Sequence, residues 1–104
     1  MTISVHELRM PEVVDVAVSE ETLRVELSDG RTLSVPTGWY PRLAYATEDE
    51  RADWRIIDAG HGIHWSELDE DVSLEGLLAG RASVESQSSL KRWLASRSPE
   101  AANQ

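Results

Sequence analysis

Cysteine is absent from this chain, phenylalanine is absent too, and cations are scarce, with 10 Lys and Arg against 19 Asp and Glu. No apolar run approaches the roughly 18 residues that a membrane-spanning helix needs. Each lack excludes something. Without cysteine there is no disulfide, no thiolate metal site and no cysteine nucleophile, so any metal would have to rest on His and carboxylate ligands. A net charge of −9 repels phosphates, which argues against direct nucleic-acid binding. The opening MTISVHELRMPEVVD lacks a basic segment leading into an apolar core, so neither secretion nor a membrane is expected, and the cytoplasm is the expected location.

What remains is a 104-residue chain, the size of one domain, with 40% hydrophobic residues, enough to build a core. Its charge is uneven: Met1 to Glu75 holds 6 basic and 17 acidic residues, while Gly76 to Gln104 holds 4 and 2. A body so acidic has basic proteins as its natural partners, unless the charge serves solubility alone.

Alternation of apolar and polar residues predicts strands over Val13 to Ser19, with Val14, Val16 and Val18 on one face, and over Thr22 to Ser28, with Leu23, Val25 and Leu27 inward. Asp29-Gly30 suits a two-residue type I′ turn into a third strand carrying Leu33 and Val35. Pro41 then starts a short helix, and Thr47 with Glu50 has capping-box spacing for a second. Trp54 to Asp58 and Ile63 to Trp65 read as strands. Ser73 caps a helix that stops at Gly80, and a final helix spans about Ser86 to Arg97, with Leu90, Trp93 and Leu94 on one side. The expected fold class is therefore α+β: an N-terminal three-stranded antiparallel meander packed with short helices, then a C-terminal helix. It is one domain over residues 1–97, with an unstructured tail at 98–104.

Only Gly60 to Leu78 suggests a site, because it gathers His61, His64, Trp65 and the acidic run Glu67 to Glu75. Strand geometry sends His61 and His64 to opposite faces, leaving His64 to hold a backbone carbonyl or to pair with a remote carboxylate. An EF-hand template begun at Asp69 fails, since Leu74 falls where the loop needs glycine and Gly80 where it needs the bidentate glutamate. The acidic residues Glu67, Asp69, Glu70 and Asp71 are expected on an outward rim, near a helix N-terminus whose partial positive charge favours them. Trp39, Trp54, Trp65 and Trp93 can each serve a core or an interface.

The run LSDGRTLSVP from Leu27 to Pro36, then GWYPRL from Gly38 to Leu43, Glu50-Arg51 through Trp54, and GIHW from Gly62 to Trp65 with LDED from Leu68 to Asp71, resemble a family of short bacterial proteins. It is the family known as domain of unknown function twenty-four forty-two. The resemblance covers about Val13 to Gly80. It implies a small α+β domain, in some members fused to a helix-turn-helix and in many encoded beside a small partner, as toxin–antitoxin pairs are. Two positions depart from the pattern: Ser66 stands where proline is frequent, and His61 where tyrosine is. After Gly80 there is room for one helix and a tail rather than a helix-turn-helix.

These features point to a non-enzymatic acidic interaction module with a basic protein partner and no cofactor; the resemblance implies an antitoxin-like role and a partner encoded by a neighbouring gene. Its contact residues would be Trp39, His64, Trp65, Glu67, Asp69, Glu70 and Asp71. Two rivals come from other classes: a small metal-dependent enzyme using His64 with Asp69 or Asp71, and a ligand-sensing domain of a transcriptional regulator.

Overall fold

The computed structural model describes residues 10–97; His6 and the tail read as unstructured lie outside that range. Strands β1 (Val13–Val18), β2 (Thr22–Leu27) and β3 (Thr32–Pro36) form the expected antiparallel meander in the order β1-β2-β3. Along β2 the alternation holds, with Leu23 and Val25 fully buried and Leu27 nearly so.

Strand β1 departs from simple alternation. Val13 pairs with Leu27 but Asp15 pairs with Glu26, a bulge at Val14 that shifts parity and leaves Val13 and Val16 buried while Val14 is 55% exposed. Val14 is therefore not an inward residue. The β2–β3 turn also differs from type I′: the Leu27 amide reaches the Arg31 carbonyl at 2.9 Å, Gly30 bonds back to Leu27, and Gly30 (φ 92°) takes a left-handed conformation while Asp29 does not. A three-residue loop with a glycine bulge results, in which Asp29 instead accepts from the Arg31 amide and Nε.

A 3₁₀ turn at Thr37–Trp39 leads into α1 (Pro41–Ala44), with Pro41 in the first turn. Helix α2 (Glu48–Ala52) carries the full capping box: Thr47 Oγ1 accepts from the Glu50 amide at 3.1 Å and Glu50 Oε1 from the Thr47 amide at 2.8 Å. A second antiparallel sheet follows, made of β4 (Trp54–Ile57), β5 (Gly62–Trp65) and β6 (Glu70–Ser73) in that order. Strand β6 is a correction. The acidic run does not lie free before a helix; part of it pairs with β5, Val72 opposite Ile63, because Leu68 and Val72 have a core to enter.

Helix α3 (Leu74–Leu78) starts under the Ser73 cap, whose Oγ accepts from the Gly76 amide at 2.9 Å. It ends in a Schellman motif: the Arg81 amide bonds to Gly76 O and the Gly80 amide to Leu77 O, with Gly80 (φ 73°) left-handed as expected. Residues 81–86 form a strap without regular secondary structure, and α4 (Gln87–Arg97) closes the described chain.

The two sheets share one core, in which Val16, Leu23 and Val25 meet Leu43, Ile63, Trp65, Leu68, Val72 and Leu74. Strand β1 lies against β4 and α2, and α3 against β3. Among the described residues no helix is long and apolar enough to cross a membrane.

Candidate functional site

Pairing in the second sheet places Arg55, His64 and Asp71 side by side across β4, β5 and β6. Trp54, Trp65 and Glu70 form the next row, and strand alternation turns that row toward the core. His64 Nδ1 hydrogen-bonds Asp71 Oδ1, so the histidine has a carboxylate partner rather than the backbone carbonyl. A carboxylate on Nδ1 fixes the ring and leaves Nε2 as an acceptor whenever the imidazole is neutral. No hydroxyl among the described hydrogen bonds completes this pair into a nucleophilic arrangement, and Asp69 does not join it. Among the described residues no group of three or more His, Asp or Glu gathers into a metal-sized cluster.

Trp65 belongs to the core and not to an interface. It is fully buried, and its Nε1 donates to Arg51 O at 3.0 Å, which satisfies the indole where water cannot. Trp39 is half-buried and packs against the core cluster. Glu67 and Asp69 are exposed on the turn between β5 and β6, with Asp69 in a left-handed conformation (φ 49°), and the Asp71 side chain is 69% exposed. These three are outward as expected.

Glu70 is not. Its side chain turns inward beneath the strap, and its Oε1 is buried without a hydrogen-bond partner. Burial, then the neighbouring Glu85 charge, pushes the carboxyl up to about 7, against the pull of Arg42. The nearest donors are turned elsewhere. Arg42 grips Glu85 through Nε and Nη2, the latter at 2.6 Å, and gives Nη1 to Leu68 O at 2.9 Å. That grip holds the Glu85 carboxyl below the usual range. The Tyr40 hydroxyl donates to Arg81 O at 3.2 Å, and burial followed by the Glu70 charge pushes its pKa above the ordinary phenol value, so it holds its proton more firmly.

The same contacts fasten the strap. The Ser83 amide donates to Trp39 O at 2.9 Å, Glu85 is held by Arg42, and Val84 between them is 99% exposed. A cleft of about 340 Å³ lies between β6 and the strap, lined by Tyr40, Glu70, Asp71, Val72, Arg81 and Val84 among others. Another, of about 320 Å³, opens on Arg42, Asp69, Glu70, Val84 and Glu85. Sequence reasoning missed Tyr40, Arg42, Val84 and Glu85, since their partners lie far along the chain and no local spacing marks them.

Two solved structures resemble the chain. A crystal structure of a protein of unknown function from Rhodospirillum rubrum is 30% identical, with a TM-score of 0.64, covering 74% of this chain and 95% of that one. A solution structure of an uncharacterized protein from Chromobacterium violaceum is 27% identical, with a TM-score of 0.60, covering 83% of this chain and 75% of that one. No curated protein matches. Residues 13–83, from the first strand of the meander to the middle of the strap, match a single family model, and the chain thus belongs to the family described as protein of unknown function, DUF2442.

Proposed function

We propose that this protein is a non-enzymatic interaction module that engages a basic protein, in the manner of an antitoxin covering a toxin. The observation that supports the reading best is the composition of the surface where the β5–β6 turn meets the strap. There Asp69 and Asp71 line clefts shared with Val84, the most exposed large apolar residue described, and Glu67 is exposed on the same β5–β6 turn as Asp69. An apolar side chain flanked by exposed carboxylates suits a partner that offers an apolar contact within a cationic surface, where the charges speed encounter and fix orientation. Val84 takes the apolar role that Trp65 cannot fill, and the Trp39 carbonyl anchors the strap by accepting from the Ser83 amide.

The test uses a fluorescently labelled basic peptide and the full chain, read by anisotropy between 50 and 200 mM salt. The wild type should lose affinity at least about tenfold across that range, as screening removes the charge attraction. The variant Glu67→Gln/Asp69→Asn/Asp71→Asn should bind at least about tenfold more weakly at low salt. A control, Glu20→Gln/Glu21→Gln/Glu48→Gln, changes net charge equally on other exposed positions and should bind nearly as the wild type does. Equal losses in both variants, or affinity indifferent to salt, would remove this surface from the mechanism.

A further inference from the structure

We infer that the cleft between β6 and the strap is a socket for one arginine side chain of the basic partner, held by Glu70 at its base and Asp71 at its rim; this rests on the reading above. The cleft, at about 340 Å³, has room for a guanidinium and part of its stem. Its walls include Arg81, whose guanidinium is turned toward Glu75, and two further kinds of surface. Tyr40, Val72 and Val84 offer apolar surface to the methylenes, while Glu70 and Asp71 offer oxygens to the nitrogens. A planar, weakly hydrated guanidinium with several fixed donors suits a half-sheltered carboxyl better than a compact, strongly hydrated ammonium does.

The molecule leaves the position open in a specific sense. Glu70 Oε1 is shielded from solvent and lacks a hydrogen-bond donor. Leaving such an oxygen unpaired is costly, so a turn of the carboxyl that presents it to a donor in the cleft gains more than the same bond to an exposed carboxylate. The groups facing Glu70 fix the balance. Arg42 is bound to Glu85 and Leu68 O, and Tyr40 is bound to Arg81 O; Asp69, Asp71 and Glu85 all add negative potential. Arg81, on the strap, is drawn instead to Glu75 at 3.5 Å. A cation entering the cleft would meet an excess of carboxylate and would favour the ionised form of Glu70.

This gives a pH signature. With Glu70 half-ionised near pH 7, the competent fraction falls about tenfold between pH 8 and pH 6, and affinity for the cation should fall about tenfold with it. Full-length protein carrying side-chain ¹³C-labelled glutamate would be titrated with N-acetyl-arginine amide, and with the neutral isostere N-acetyl-citrulline amide as control. The Glu70 carboxyl resonance should move on addition of the arginine amide, its titration midpoint should drop, and the citrulline compound should do neither. In the variant Glu70→Gln, which keeps shape and fold, the backbone amides of residues 82–84 should no longer shift on addition of the arginine amide at any pH, whereas in the wild type they should. A Glu70 resonance that ignores the arginine amide, or that responds equally to citrulline, overturns the socket. If the basic peptide still binds through Glu67, Asp69 and Asp71 while Glu70 is silent, the interaction surface stands and the socket alone falls; if neither responds, both fall.

Discussion

Glu70 keeps its proton into the neutral range because its carboxyl is sheltered beneath the strap and faces Glu85, and this makes a stability prediction with a definite sign. Its folded value of about 7 exceeds the ordinary 4.5, so the folded state retains a proton that the unfolded chain gives up over that interval. The contribution is complete below pH 4.5 and is lost as pH rises through 7. Because the carboxyl still has some contact with solvent, the effect is about 1 kcal/mol rather than the full equivalent of the shift. Glu70→Gln should therefore raise Tm by about 5 °C at pH 8 and leave it nearly unchanged at pH 5, read by calorimetry. Equal effects at both pH values would mean that the carboxyl ionises normally. Glu50 has the opposite sign: hydrogen bonds from Arg97 hold its carboxyl down to about 2, so what it contributes is present above pH 4.5 and fades below. Arg51 shows why single residues resist sequence reading. It is buried with its guanidinium on the carbonyls of Leu43 and Ala44, closing the end of α1, and nothing in the local pattern distinguishes it from an exposed helix cation.

Elements with strong local chemistry were legible from the sequence. The meander, the capping box at Thr47, the Ser73 cap and the stop at Gly80 all follow from spacing and side-chain type. Two were not. Strand β6 is short and acidic, and only pairing with β5 makes it a strand; propensity disfavours Glu and Asp there, so tertiary context decides. Strand β1 hides a bulge, which single-strand alternation cannot reveal. That difference is measurable: Val14→Lys should change stability by less than about 0.5 kcal/mol, whereas Val16→Lys should cost about 3 kcal/mol or prevent folding. A Val14 variant as damaging as the Val16 one would restore simple alternation.

Helix α4 is held by a polar clasp around one indole. Arg42 and Arg97 both lie over the Trp93 ring, at 5.1 and 4.4 Å from its centroid, and each arginine is bonded by a glutamate, Glu85 and Glu50 respectively. Leu90 adds a buried apolar contact. Since α4 lies beyond residues 13–83, its release should leave the family domain intact. Trp93→Ala should raise hydrogen exchange over 87–97 at least about tenfold while β2 and β5 keep their protection. Uniform loss of protection would show α4 to be integral to the core.

On the scale of the whole molecule, the −9 charge and its concentration before Gly76 were plain from composition, but which carboxylates face outward was not. Four were expected on the rim. Glu67, Asp69 and Asp71 are there, and Glu70 faces the other way because it occupies the core-facing row of β6. Trp65 and Trp93 were equally ambiguous as letters; burial separates the first into the core, and two arginines claim the second. The recognition surface proposed above lies where the β5–β6 turn meets the strap. Backbone amide chemical-shift mapping of the ¹⁵N-labelled full chain, titrated with a basic peptide, tests that most directly. Perturbations should concentrate in residues 66–71 and 82–85 and weaken with salt; shifts spread evenly over the acidic surface, or centred on another face, would contradict it.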